Sequence, residues 1–201
     1  MKKVTQSLFL VILLMFSGAL AAQNFSRAID QQLNHFVEQN DLLPQDAQWQ
    51  VTSETFSKKS GIQHIYFRQT LDGIEIYGTE SSIHLTSNGK VVSKDSKFVK
   101  NTAQKRTGSN APALTAVQAV QAAAAHFNYS ITDSFSVLER ASGVDRKTLL
   151  SDGGISLSPI PAKLMYAITD NDGLVLTWDI SIQEKSQQDW WSLRIDANTG
   201  A

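Results

Sequence analysis

The hydrophobic pattern near the start of the chain is helical. Apolar residues recur there three or four positions apart, which places them on one face of a helix. They are Phe25, Ile29, Leu33, Phe36 and Val37. Pro44 ends the pattern, because proline cannot continue a helix. The pattern therefore predicts a short amphipathic helix that packs through one face.

Across residues 49–99 the hydrophobic period changes to two, which is the period of half-buried strands. Ile65, Phe67 and Leu71 alternate with polar neighbours, and short turn sequences separate the apolar runs. This pattern predicts an antiparallel β-meander.

Four residues are predicted to set the turns of this meander. They are Gly73, Gly78, Asn88 and Gly89. In the Asp72-Gly73 turn, Gly73 is expected to have positive φ. The Asn88-Gly89 pair is typical of a two-residue hairpin loop, in which both central residues have positive φ.

A polar segment without periodicity follows the meander. Residues 100–113 contain Gly, Ser, Asn and Pro and no apolar anchor, so we predict an exposed linker that trypsin cuts early at Lys105 or Arg106. Thr115 is then a good N-cap, and Gln118 completes a capping box at the start of an alanine-rich helix.

Three strand patterns lie in the last part of the chain. Residues 142–161 look loop-rich, and alternating apolar residues then predict strands near 164–168, 174–182 and 191–195.

The order of these elements predicts an α+β fold of two helix-plus-antiparallel-sheet units. The units occupy residues 22–99 and 114–201, and the polar linker 100–113 joins them.

The N-terminus has the features of a secretory signal peptide. Lys2 and Lys3 precede the apolar run from Leu8 to Phe16, and small residues up to Ala21 suit a signal peptidase. The apolar run is shorter than the roughly 20 residues that cross a bilayer. We therefore predict cleavage after residue 21, with Ala22 as the neighbouring option, and a secreted protein with no membrane association afterwards.

Composition excludes several classes of protein. The formal net charge is −1, which gives no basic surface for nucleic acid. The chain has no cysteine, so it has neither disulfides nor thiolate chemistry.

No catalytic constellation is recognisable. None of the histidines His35, His64, His84 and His126 lies in an H-E-x-x-H arrangement, and no serine lies in a G-x-S-x-G elbow. His64 and His84 lie on strands that can pair, but zinc needs three or four ligands, so they are interpreted as two half-exposed imidazoles. We predict no catalytic residue, metal site or cofactor in this chain.

The segment from His64 to Gly78 resembles the fungalysin/thermolysin propeptide motif. An aromatic-rich strand carries Arg68-Gln69-Thr70 and is followed by a glycine turn and the pair Tyr77-Gly78. The second half is similar to a PepSY module, and its ending from Trp190 to Gly200 resembles fungalysin prosegments more than thermolysin ones.

This resemblance implies a prosegment that assists the folding of a zinc metalloprotease and inhibits it. The implied partner is the catalytic domain of that protease, and zinc is expected only there. Arg68, Gln69 and Tyr77 are the candidate contacts, because arginine and tyrosine are favoured at interface hot spots. The alternative for Arg68 and Gln69 is that they only satisfy neighbouring turns.

A protease domain would be expected after Ala201, where the sequence ends. Two alternatives stay open: a prosegment that acts in cis, and a free-standing secreted inhibitor or binding module that acts in trans. A small hydrolase is disfavoured by the missing motifs. The reading frame after residue 201 distinguishes the first two.

Overall fold

Two antiparallel sheets form the body of the chain in the computed structural model, which describes residues 25–39 and 41–201. The predicted α+β class is confirmed. The predicted signal peptide, residues 1–21, lies outside the described residues. Within the described residues, no helix combines the length and the apolar character that crossing a bilayer requires.

The first sheet packs its inner face on an N-terminal helix. Residues 25–38 form helix α1, and a 3-10 turn follows at Pro44–Ala47. The strands are β1 (Trp49–Ser57), β2 (Ile62–Leu71), β3 (Ile74–Glu75), β4 (Ser81–Thr86) and β5 (Val91–Asp95). They lie in the order β1-β2-β4-β5, and β3 pairs with the end of β2. The shared core is formed by Phe25, Ile29, Leu33, Leu42, Ile65, Phe67, Ile83 and Leu85.

Two turns of this sheet have different geometries although each contains glycine. Asp72 and Gly73 both have positive φ, 53° and 79°, as a two-residue loop between β2 and β3 requires. In the other turn, Gly89 has φ 81° whereas Asn88 is not left-handed. The prediction of a two-residue loop is wrong there, because the Gly89 N–H donates to the Thr86 carbonyl at 2.9 Å and closes a three-residue loop.

The first half of the predicted linker is anchored to the first sheet. Residues 100–113 begin with a one-turn helix, α2 (Thr102–Lys105). Asp46 is 0% exposed. It accepts hydrogen bonds from the Asn101 N–H at 2.8 Å, the Thr102 N–H at 2.9 Å and the Thr102 hydroxyl at 2.7 Å. We call this set of hydrogen bonds the Asp46 latch.

The residues after α2 are attached to the second half of the chain. Arg106 forms a parallel bridge with Leu174, and the Thr107 N–H donates to the Leu174 carbonyl at 2.8 Å. Lys105 forms an ion pair with Asp172 at 2.6 Å. The expectation of an unanchored segment is therefore wrong, because polar groups rather than apolar side chains make the attachments.

The second sheet is a five-stranded antiparallel meander with a helix on one face. Its helix α3 spans Ala116–His126, and the predicted capping box is present, with Thr115 and Gln118 bonded reciprocally. The strands are β6 (Val137–Ser142), β7 (Lys147–Leu150), β8 (Ile160–Ile168), β9 (Leu174–Gln183) and β10 (Trp190–Asp196). They lie in the order β10-β9-β8-β7-β6. The expectation that residues 142–161 form mostly loop is wrong at β7. A strand of four residues is too short to show a clear alternation of apolar and polar positions.

The two sheets meet along β3 and β8. Ile76 forms a parallel bridge with Tyr166, and the Tyr77 N–H donates to the Tyr166 carbonyl at 2.8 Å. Leu71, Ile74 and Ile76 belong to the core of the second sheet rather than to that of the first. The first unit therefore contributes apolar side chains to the interior of the second.

Candidate functional site

Arg68 lies on the outer face of β2, where alternation places it opposite the buried Phe67. Its guanidinium pairs with the carboxylate of Glu75 and, at 2.8 Å, with that of Glu80. The side chain is 21% exposed. Its position is therefore fixed by two carboxylates, and only a minor part of it reaches the surface.

Glu75 joins the two sheets through its carboxylate. It accepts a hydrogen bond from Gln50 Nε2 at 2.6 Å and one from Lys163 Nζ, on β8, at 2.9 Å. Burial acts to raise the pKa of Glu75, but the hydrogen bond and charge of Lys163 and the charge of Arg68 outweigh it and lower the pKa below its ordinary value. Glu75 is therefore ionised at neutral pH and holds both cations in place.

A groove of about 500 Å³ lies between the two sheets beside these ion pairs. Its residues from the first sheet include Val51, Arg68 and Glu75, and those from the second include Lys147, Lys163 and Asp179. Both signs of charge line it, so it favours a polar partner that carries donors and acceptors over a purely apolar one.

Asp179 connects this groove to the exposed Tyr77. The Asp179 carboxylate lies 3.5 Å from Arg194 Nε, and burial raises the pKa of Asp179 while Arg194 partly opposes the shift. The Arg194 guanidinium lies 3.6 Å from the centre of the Tyr77 ring, a cation–π contact. Tyr77 is 47% exposed. We call the groove together with Tyr77 and Arg194 the inter-sheet surface.

Gln69 lies inside the molecule. It is 0% exposed, and its amide donates to the carbonyls of Asp46 and Val99 at 2.7 and 2.8 Å. It also accepts from the Val99 N–H at 2.8 Å. Gln69 therefore ties the chain together in this conformation and presents no surface to a partner. Its sequence position indicated this, because Gln69 has the same strand parity as the buried Ile65 and Phe67.

The turn glycines differ in their surroundings. A Cβ on Gly73 would lie 3.1 Å from Val144 Cγ2, whereas Gly78 and Gly89 have open space at that position. Gly78 has φ 86°, so it also adopts a conformation that favours glycine. Gly73 is therefore restricted both by its backbone and by the turn between β6 and β7.

Sequence reasoning missed Glu75, Lys163 and Arg194. Lys163 lies 88 positions after Glu75, its partner, and Arg194 lies 117 positions after Tyr77, whose ring it contacts. A local pattern cannot show such a contact.

The described residues, 25–39 and 41–201, contain no group of three or more histidine, cysteine, aspartate or glutamate side chains that could hold a metal ion. That part of the chain therefore offers no complete ligand set of the kind a catalytic zinc site uses.

Comparison with known proteins identifies the first sheet. Residues 47–98 match the family described as Fungalysin/Thermolysin Propeptide Motif. The recognition of this motif from the sequence is therefore confirmed. The motif is that of a propeptide, so this segment corresponds to the non-catalytic part of a metalloproteinase precursor. The PepSY-like character of the second half stays a prediction.

The chain is also similar to fungal extracellular metalloproteinases. It is 27% identical to Extracellular metalloproteinase 1 of Phaeosphaeria nodorum over 162 residues, which cover 78% of this chain and 25% of that protein. It is 28% identical to Extracellular metalloproteinase mep of Aspergillus flavus over 170 residues, which cover 80% of this chain and 25% of that protein. The chain spans about a quarter of the length of the curated relatives it matches.

Proposed function

We propose that this chain is the prosegment of an extracellular, fungalysin-like zinc metalloprotease, and that it acts on the catalytic domain as intramolecular chaperone and inhibitor. The observation that supports this proposal most strongly is the propeptide motif at residues 47–98, which forms most of the first sheet. The names of the relatives, extracellular metalloproteinases, support secretion and a catalytic domain as partner. In this proposal the zinc ion belongs to that domain.

The rigidity of the molecule supports an inhibitory role. A partner that binds a preformed surface avoids the cost of ordering it. Here the Glu75 ion pairs and the β3–β8 contact hold the two sheets against each other. The inter-sheet surface is therefore ready to bind before the partner arrives.

Within this surface we assign the contact to Tyr77 and to the exposed part of Arg68. Tyr77 combines high exposure with an arginine neighbour, which is the composition of interface hot spots. Glu75 and Lys163 are already paired with each other, so these charges orient the partner rather than supply most of the affinity.

The test is a titration of the cognate protease with the purified chain, read as residual hydrolysis of a peptide substrate. We expect inhibition at micromolar concentration by the wild-type chain. Tyr77→Ala should raise the inhibition constant at least tenfold, whereas Val92→Ala, at an exposed site on β5 at the opposite edge of the first sheet from β1, should leave it unchanged. Circular dichroism confirms that both variants are folded.

The inhibitor proposal fails if the folded wild-type chain does not inhibit that protease. The chaperone role is tested separately, by refolding the denatured catalytic domain with and without the chain and measuring recovered activity. If recovery does not increase, the chaperone role is refuted. An open reading frame that continues after codon 201 into H-E-x-x-H supports action in cis, and a stop codon supports action in trans.

A further inference from the structure

Two histidines lie side by side on the outer face of the first sheet, outside the set of residues that line the inter-sheet groove. His64 on β2 and His84 on β4 are direct cross-strand partners. Their Nδ1 atoms are 2.9 Å apart, and their ring centres are 4.8 Å apart. The match to the propeptide motif assigns no role to this pair.

The surroundings leave the pair open to solvent. The residues in register on the flanking strands are Thr55 on β1 and Ser93 on β5, and both are exposed. Their short side chains do not cover the two imidazoles with a bulky group. Tyr66 contacts the His84 ring edge to face, with ring centres 6.0 Å apart.

We propose that His64 and His84 form a binding site for one divalent transition-metal ion, which both Nδ1 atoms coordinate and water completes, with Cu(II) favoured over Zn(II). Imidazole is a good ligand for both metals, and affinity for a given site rises toward copper. No catalytic role is attached to the ion.

The spacing of the two rings is compatible with copper geometry. With metal–nitrogen bonds of about 2.0–2.1 Å, nitrogens 2.9 Å apart subtend an angle of about 90° at the ion. This is the angle between neighbouring ligands in the tetragonal geometry of Cu(II). Coordination also requires the rings to turn, because in the hydrogen bond one Nδ1 points its proton at the other.

Binding requires a change of tautomer but no net loss of a proton from the neutral pair. Without metal, one ring donates its Nδ1–H to the Nδ1 lone pair of the other. Coordination by both Nδ1 atoms requires both rings to carry their proton on Nε2. The donating ring therefore exchanges one proton with water, which leaves its charge at zero.

The test uses the untagged chain and copper(II) chloride at pH 7.5, with isothermal titration calorimetry for affinity and electron paramagnetic resonance for the ligands. We expect one Cu(II) per chain, bound in the micromolar range, with hyperfine coupling to two nitrogens. His64→Gln and His84→Gln should each weaken binding at least tenfold. His126→Gln, a control at an exposed histidine of α3, should not change it.

Two further measurements keep the test independent of folding. The unfolding midpoint in urea without metal should be the same for the wild type and the His64→Gln/His84→Gln variant within about 0.3 M. Added Cu(II) should raise the midpoint only for the wild type, because a ligand that binds the native state stabilises it. Equal binding by wild type and double variant, equal binding by the urea-unfolded chain, or tighter binding of Zn(II) than of Cu(II) would each overturn the proposal.

Discussion

We predict that the Asp46 latch holds the segment between the two sheets, residues 100–113, in place. The substitution Asp46→Ala tests this prediction. In the native chain the carboxylate accepts from three donors of residues 101 and 102, at 2.7 to 2.9 Å. The alanine variant removes the acceptor and leaves these donors unpaired in a site where Thr102 is 0% exposed. The segment must then either stay in place with unsatisfied donors or move into solvent.

The expected loss of stability follows from the number of donors. At about 1 kcal/mol for each unsatisfied donor, the variant loses about 3 kcal/mol of unfolding free energy. With an m-value of about 2–3 kcal/mol per M, this lowers the urea midpoint by about 1–1.5 M. Asp41→Ala is the matched control, because the Asp41–Lys100 pair is exposed and worth about 0.5 kcal/mol or less.

Limited trypsin digestion gives a second readout. Because Lys105 is ion-paired and Arg106 pairs with β9, we expect the native chain to resist cutting at these residues, contrary to the expectation from the sequence. Asp46→Ala should accelerate this cut at least tenfold. If Asp46→Ala resembles Asp41→Ala in both urea midpoint and digestion rate, the latch does not hold the segment.

Three further predictions concern pH and single positions. Burial acts to raise the pKa of Asp46, but hydrogen bonds from Thr102 and its neighbours outweigh burial and lower the pKa. The ionised Asp46 side chain therefore stabilises the fold fully above about pH 4, and this stabilisation is lost as pH falls through the folded-state pKa. Urea midpoints against pH should show this acid loss in the wild type and less of it in Asp46→Ala. Gly73→Val should lower the unfolding free energy, measured by thermal unfolding, by about 2 kcal/mol or more, because the residue has positive φ and its Cβ would crowd Val144. Gly89→Ala should lower it by about 1 kcal/mol, because a Cβ there meets no neighbour and only the positive φ is unfavourable. Glu75→Gln should lower the unfolding free energy by about 2 kcal/mol, because Lys163 loses its carboxylate partner and Arg68 keeps only that of Glu80; a loss no larger than that of Asp41→Ala would contradict this.

The sequence predicted the elements whose information is local. Strand β9 has five apolar residues of one parity, and the capping box of α3 lies within four positions, so both were found. The turn at Gly73 was found for the same reason. Recognition of the propeptide motif depended on a run of consecutive residues.

The sequence could not show contacts between residues that lie far apart in the chain. The 100–113 segment looked free because its anchors are polar, and Asp46 lies more than fifty positions before Thr102. Arg68 and Tyr77 were singled out by residue type, but their neighbours Lys163 and Arg194 come from another sheet. Only Gln69 was open to a better interpretation, since its parity already placed it on the inner face.

The placement of Leu71, Ile74 and Ile76 in the second core has a consequence for modularity. Removing an Ile or Leu side chain from a core costs about 2–5 kcal/mol, so a fragment that begins at residue 114 lacks several times that amount. The second half is therefore not expected to fold as an independent unit. Recombination that exchanges one half for that of a distant homologue must also bring a matching β3, and a chimera joined within residues 100–113 is expected to aggregate rather than fold.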